Sequence, residues 1–189
     1  RRSAEEDRQA KWQIEKRKER EEAEAAVIKA WNGLWEVYFR EARKTNKLIF
    51  CWKNVDRFHD DVFEMNFLTT LRLIGNKLTE LPPNLFDLLP KLKQLSFSNN
   101  LLTHLPASIG KLKHLEELNL LKNRIVELPP EFCKLKRLKT LELSSNNLTK
   151  LPERFGALKS LCGTLAIESN LLSGLPESFG LLQITSLRL

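Results

Sequence analysis

The chain has 189 residues, 42% apolar and 29% charged, a composition that fits one folded domain plus an appendage and not a disordered tract. No apolar run approaches the roughly 20 residues a membrane span requires, and no basic-then-apolar signal segment opens the chain. The formal charge of +7 is unevenly placed: residues 1–67 carry 15 Lys/Arg against 14 Asp/Glu, and residues 68–189 carry 16 against 10, which argues against a basic nucleic-acid-binding tail.

Residues 5–24 contain 14 charged residues. Opposite charges fall four apart at Asp7/Lys11, Arg17/Glu21 and Lys18/Glu22, where they support a helix. Apolar positions are too few for a sustained heptad seam, so the segment reads as a solvated single helix. Beyond Ala23, Val27, Trp31, Leu34, Trp35 and Tyr38 recur at helical spacing and form an aromatic stripe. Gly33 lies within it, at a cost of about 1 kcal/mol in helix propensity, so packing is expected to outweigh propensity there. Residues 1–44 are read as a charged, then amphipathic, helix. Its stripe docks on the first coil of the repeat array, or else presents a partner-binding face suited to its two Trp residues.

From residue 68 the chain is periodic. Leu68, Leu71, Leu73, Asn76, Leu78 and Leu81-Pro82 set a frame that recurs at Leu92, Leu95, Phe97, Asn100, Leu102 and Leu105-Pro106. It returns at Leu115, Leu118, Leu120, Asn123, Ile125 and Leu128-Pro129, and again at Leu138, Leu141, Leu143, Asn146, Leu148 and Leu151-Pro152. A fifth copy runs through Leu165, Ile167, Asn170, Leu172 and Leu175-Pro176, and a sixth, truncated, begins at Ile184, Leu187 and Leu189. The asparagines are 24, 23, 23 and 24 residues apart, a repeat architecture by its period. The positions 23 residues before those of the first copy hold Leu48, Phe50, Val55, Phe58, Val62 and Met65, all apolar, with Lys53 at the Asn position and Asn54 beside it. Residues 45–67 are therefore read as a degenerate capping repeat, the competing reading being an unrelated helical segment.

Each repeat position has a physical task. The Leu-x-Leu pair turns two side chains inward from a short strand, because alternate residues face opposite sides. The asparagines Asn76, Asn100, Asn123, Asn146 and Asn170 bend the chain and form a structural ladder whose amides satisfy backbone groups of the next coil. Leu85, Ile109, Phe132, Phe155 and Phe179 fill the outer core. The expected fold is an α/β repeat: a right-handed leucine-rich repeat solenoid, or horseshoe, of short parallel strands near 71–73, 95–97, 118–120, 141–143 and 165–167, preceded by the α-helix. Side chains flanking the inward leucines then form its concave face: Thr70, Arg72 and Ile74; Gln94, Ser96 and Ser98; Glu117, Asn119 and Leu121; Thr140, Glu142 and Ser144; Thr164, Ala166 and Glu168. Glu117, Glu142 and Glu168 are expected to stack along its centre, opposite a basic partner segment with an apolar anchor at Leu121. The bland alternative is that they keep the face soluble.

Leu-Pro-Ala-Ser-Ile-Gly-Lys-Leu (105–112) and Leu-Pro-Glu-Arg-Phe-Gly-Ala-Leu (151–158) resemble the intracellular Ras-group class of leucine-rich repeat proteins, whose units end in Leu-Pro-x-x-[Phe/Ile]-x-x-Leu. Scribble, Erbin and plant intracellular Ras-group proteins carry such arrays. The resemblance spans about 45–189 and implies a curved solenoid that scaffolds signalling or structural complexes, without naming a partner. The frame departs from the pattern at Leu161-Cys162-Gly163-Thr164, where one extra residue makes a bulge.

Catalytic chemistry is not expected. His59-Asp60-Asp61 lacks the spacing of a metal-ligand set and suits a loop or helix start. His104 and His114 have no Cys or Asp partner at catalytic spacing, and no GxSxG, P-loop, GxGxxG or CxxC motif occurs. Cys51, Cys133 and Cys162 are odd in number and dispersed, which favours a reducing, intracellular setting; Cys133 and Cys162 are expected to pack within the repeats. Lys91/Lys93, Lys111/Lys113 and Lys134/Lys136/Arg137/Lys139 precede successive strands and should align as a basic edge, read as a solvated flank or as a phosphate site. The expected function is a non-catalytic cytoplasmic scaffold that binds a protein on the concave face, with no cofactor, metal, small-molecule substrate, nucleic acid or membrane span. The alternative is a structural subunit of a cytoskeletal or ciliary assembly docked through the helix. The chain starts without Met and stops within a repeat, and reads as a piece of a longer protein.

Overall fold

The computed structural model describes the backbone from residue 4 onward and the side chains from residue 12 onward, those of 24 and 28 excepted. The chain divides into two compact units, Arg1–Arg40 and Glu41–Leu189. Helix α1 spans Ala4–Thr45. In its charged half Arg17 pairs with Glu21 at 2.8 Å and Lys16 with Glu19 at 2.8 Å; the expected Asp7/Lys11 pair lies outside the described side chains. The helix stops at Asn46, which takes the left-handed conformation (φ 58°) common for Asn after a last turn and donates its N–H to the Ala42 carbonyl at 2.8 Å.

The second unit is a seven-stranded parallel sheet in sequential order. Its strands are β1 (Lys47–Ile49), β2 (Thr70–Arg72), β3 (Gln94–Ser96), β4 (Glu117–Asn119), β5 (Thr140–Glu142), β6 (Thr164–Ala166) and β7 (Ser186–Arg188). The five with an expected position, β2 to β6, each begin one residue before it. The pairing nevertheless continues past the strand ends, with Leu73 N–H on the Ser96 carbonyl and Gly75 N–H on the Ser98 carbonyl, each at 2.9 Å. Residues 45–67 form a full coil, with β1 paired to β2 and a short 3-10 turn at Asp60–Glu64. His59 caps that turn, its Nδ1 accepting the Asp61 N–H at 3.3 Å.

Every strand contributes leucines to one register column, Leu48, Leu71, Leu95, Leu118, Leu141, Leu165 and Leu187, and all but the last are buried. The return half of each coil is a short helical turn: α2 (Leu85–Leu88), then 3-10 turns at Ala107–Lys111, Pro130–Lys134, Phe155–Ala157 and Glu177–Leu181. Pro fits where these turns begin, since its fixed φ suits the entry and its missing N–H is not needed there. Phe132, Phe155 and Phe179 stack at 6.4 and 6.1 Å with nearly parallel rings, so adjacent coils share an aromatic spine. The extra residue near Leu161 is absorbed before β6: Gly163 donates to the Lys139 carbonyl at 3.0 Å, and pairing resumes in frame at Leu141 with Leu165.

Candidate interaction surface

The asparagine ladder makes the sheet a stiff platform. Asn100 Oδ1 accepts the Leu78 N–H at 3.1 Å while its Nδ2 donates to the Leu73 and Phe97 carbonyls at 2.8 and 2.9 Å. Asn123 repeats this one coil on with Leu102, Phe97 and Leu120, and Asn146 with Ile125, Leu120 and Leu143. Asn76 holds Lys53 and Val55 N–H, so it ties the degenerate first coil to the second; Asn170 holds Leu148 N–H. One residue before each Asn the backbone is left-handed, at Gly75, Asn99, Lys122, Ser145 and Ser169, and in the first coil at Trp52. These two devices fix where each strand ends and hence which side chains face outward.

The register sets the strand residues among the fifteen expected on the concave face in columns that alternate with the leucine column, Thr70, Gln94, Glu117, Thr140 and Thr164 on one side of it and Arg72, Ser96, Asn119, Glu142 and Ala166 on the other. Thr70, Ser96, Ser98, Ser144 and Ala166 are nonetheless buried, because these short side chains sit between longer neighbours in adjacent strands. The accessible remainder is Arg72, Ile74, Gln94, Glu117, Asn119, Leu121, Thr140, Glu142, Thr164 and Glu168. The expected central stack of three carboxylates is corrected by the register. Glu117 pairs with Thr140, and Glu142 pairs with Asn119 and Ala166, so Glu117, Glu142 and Glu168 occupy successive steps of a diagonal. Neighbours on it are about 8 Å apart for ordinary strand spacing and rise. Glu142 Oε1 also accepts the Ser144 N–H at 2.8 Å, and Asn119 Oδ1 the Leu121 N–H at 3.0 Å, which orients both side chains before any partner arrives.

Two other expected sites differ in the folded chain. On α1, burial follows Trp35, Phe39 and Ala42, with Trp31 and Tyr38 half-buried, while Val27 and Leu34 are exposed. Leu34 is turned about 100° from Trp35 around a 3.6-residue helix, and Phe39, absent from the expected stripe, takes its place: Trp35 meets Trp31 at 5.8 Å and Phe39 at 5.4 Å. The basic edge is partly consumed internally. Lys111 pairs with Asp87 at 2.5 Å, Lys139 with Glu116 at 2.7 Å, and Lys136 donates to the Ala157 carbonyl at 3.1 Å. The Lys139 hydrogen bond and charge hold the Glu116 carboxyl below its ordinary range.

Cys133 is buried, which raises its thiol pKa against the opposing effect of Lys136 and Arg154. Cys162 is exposed, contrary to its expected packing role, because it sits in the extra-residue bulge. Cys133 also lines a groove of about 470 Å³ with Leu128, Pro129, Leu151 and Pro152; a similar groove beside Leu81, Leu105 and Pro106 marks both as products of the Leu-Pro corner. Among the described residues no cluster of His, Cys, Asp or Glu could hold a metal, and no helix is long and apolar enough to cross a membrane.

Comparison with known proteins converges on this geometry. Residues 86–170 match the model of a leucine-rich repeat region and residues 67–89 that of a leucine-rich repeat. The chain is a leucine-rich repeat protein. A leucine-rich repeat protein of Leptospira interrogans is similar in structure at 32% identity and a TM-score of 0.66 over 77% of this chain and 38% of its own. The leucine-rich repeat domain of the type III effector XopL aligns at 24% identity and a TM-score of 0.70, over 84% of this chain and 56% of that one; at that identity it speaks for the fold alone. The ectodomain of the Arabidopsis thaliana receptor kinase GASSHO1/SCHENGEN3, solved in complex with Casparian strip integrity factor 2, aligns at 31% identity and a TM-score of 0.63, over 73% of this chain and 18% of that one. Each neighbour is thus longer than the span this chain covers. No curated protein matches it in sequence.

Proposed function

We propose that this leucine-rich repeat protein is a non-catalytic scaffold whose open sheet face grips a protein partner. The observation that carries the reading is the seven-strand parallel register. It aligns three rows of side chains on a face the core does not use, among them Arg72, Ile74, Glu117, Asn119, Leu121, Glu142 and Glu168. Two of those polar groups are already oriented by backbone hydrogen bonds, which lowers the cost of ordering them on association. The carboxylate diagonal of Glu117, Glu142 and Glu168 suits a basic partner segment that crosses the strands obliquely, with an apolar side chain against Leu121. The plant ectodomain seen in complex with a protein factor supports protein recognition as the use of such an array. The unpaired cysteines suit a reducing, cytoplasmic setting, and the repeat ends suit the intracellular Ras-group class.

The test is affinity capture with the full chain, identification of the partner, and binding measured for Glu117→Lys with Glu142→Lys. The double reversal weakens binding at least tenfold, about 1.4 kcal/mol, and flattens its salt dependence with the melting curve unchanged. Undiminished binding, with loss when Lys91, Lys93, Lys113 and Lys134 are neutralised, assigns the partner to the basic edge instead. A second reading, a structural subunit held through α1, is favoured by one observation: Trp12 and Ile14 are 55% and 58% exposed on the charged half of that helix. Removal of residues 1–20 then abolishes assembly while binding at the sheet persists.

A further inference from the structure

The first two coils carry exposed apolar side chains that the core does not use: Ile49 in the open-face column of Arg72, and Trp52 at the left-handed position that matches Gly75. Trp52 is 68% exposed and Ile49 44% exposed, and Ile74, one coil on, is half-buried. Trp52 lies three residues past the end of β1 and donates its backbone N–H to the Ile74 carbonyl at 2.8 Å. Its backbone is left-handed, at φ 58°, where a bulky residue is a genuine outlier and where strain gathers at functional sites. The other coils fill this ladder position with Gly75, Asn99, Lys122, Ser145 and Ser169. The single glycine among them lies next to Trp52: a Cβ on Gly75 would stand 2.2 Å from Cδ2 and Cε3 of the indole. The ring therefore lies across Gly75, which leaves it the room, and the fold holds a large aromatic surface in solvent at one defined place.

The strand-and-turn stretches of these two coils, up to Val55 and Thr79, carry charges of one sign. Residues 47–55 and 70–79 contain Lys47, Lys53, Arg72 and Lys77 and no carboxylate, and the matching stretch 94–102 carries no charge. In the matching stretches of the β5 and β6 coils the ionised groups are Glu142 and Glu168. The stretches are thus basic and aromatic at β1–β2, uncharged at β3, mixed at β4, where Glu117 is joined by Lys122 and Arg124, and carboxylate-bearing alone at β5 and β6. A nucleic acid would need the cationic row to continue along its phosphates, and here it reverses.

We propose that the Trp52–Ile49–Ile74 group docks an acidic protein segment bearing an aromatic or aliphatic anchor. The inference rests on the reading that the open face binds a partner and adds polarity to it: the partner's acidic, anchored end lies over β1 and β2 and its basic end over β4 to β6. Lys47 and Arg72 select the acidic residues, and the indole provides the rigid, low-entropy contact typical of an energetic hot spot.

The experiment selects a displayed library of random linear peptides on the immobilised full chain and compares wild type, Trp52→Asn, Arg72→Glu and the Glu117→Lys/Glu142→Lys pair. Asn at 52 is the residue the third coil uses at the equivalent position 99 and tolerates left-handed backbone, so the coil stays folded. Enriched peptides should combine an aromatic or aliphatic residue with Asp or Glu, and Trp52→Asn should weaken the synthesised peptides by about tenfold or more. Arg72→Glu should weaken them most at low salt. If Trp52→Asn lowers the melting temperature, Gly75→Asn, which displaces the indole with residue 52 intact, gives the same loss. The proposal is overturned if enriched peptides lack acidic residues, if they bind Trp52→Asn as tightly as wild type, or if single-stranded DNA or phosphatidylserine vesicles displace them and bind through Trp52. Peptides insensitive to Trp52→Asn but lost on the Glu double reversal sink this proposal and leave the open-face reading standing; insensitivity to both sinks the two together.

Discussion

Asn123→Ala removes one rung of the ladder without touching the leucine core. Asn123 is buried; its Oδ1 accepts the Leu102 N–H at 3.1 Å and its Nδ2 donates to the Phe97 and Leu120 carbonyls at 2.9 and 3.1 Å. Ala leaves the Leu102 N–H without an acceptor inside the coil stack, while the Phe97 and Leu120 carbonyls each lose one of two amide donors and keep those of Asn100 and Asn146. A buried group left without its hydrogen bond costs about 1–3 kcal/mol, so the loss is about 1–3 kcal/mol and comes chiefly from the Leu102 N–H. Asn123→Asp retains the acceptor for Leu102 N–H but aims a carboxylate at two carbonyls, so its pKa in the fold is raised above the unfolded value. The stability it retains is then fully present below the unfolded pKa and lost as pH rises through the folded pKa, and the defect relative to wild type shrinks in acid. Urea unfolding followed by circular dichroism, with exposed Asn147→Ala as control, measures both effects. A cost for Asn123→Ala below about 0.5 kcal/mol, the range of surface substitutions, would refute the ladder as a source of stability.

Gly156→Ala places a Cβ 1.8 Å from the Ser178 carbonyl of the next coil and should cost about 1–3 kcal/mol through forced displacement, whereas Gly174→Ala, with open space around it, should be near neutral by the same thermal melt. Trp35→Ala should destabilise by about 3–5 kcal/mol because the side chain is fully buried, while exposed Val27→Ala changes the melting temperature little; equal effects would return the helix stripe to its expected position. Cys162 should alkylate at neutral pH in the native protein and Cys133 only on unfolding, since burial both shields the Cys133 thiol and raises its pKa; mass spectrometry of iodoacetamide-treated protein reads the order.

The repeat frame was legible in the sequence because its period is enforced by stacking: each leucine, asparagine and Leu-Pro corner recurs where the neighbouring coil needs it. Even the degenerate first coil showed its six apolar positions, and the backbone there pairs β1 with β2. What escaped the sequence depends on the third dimension. The diagonal of Glu117, Glu142 and Glu168 comes from register, which strand residues alone do not reveal until partners are assigned. Phe39 replaced Leu34 because a helix buries a line of residues at 35, 39 and 42 and not a cluster around one Trp. Trp52 gave a faint signal, as the residue one period before the lone glycine of the left-handed ladder, but its exposure depends on a backbone conformation that Trp rarely adopts.

Hydroxyl-radical footprinting of the full chain, free and bound to its captured partner, tests the central claim most directly. Binding on the open face predicts protection of Ile74 and Leu121 on the β2 and β4 coils, with Val126 and Leu175, which lie past the asparagine turns and are exposed, oxidised equally in both states. Protection confined to Val126, Leu175 or the helix residues Trp12 and Ile14, with Ile74 and Leu121 unchanged, would contradict it.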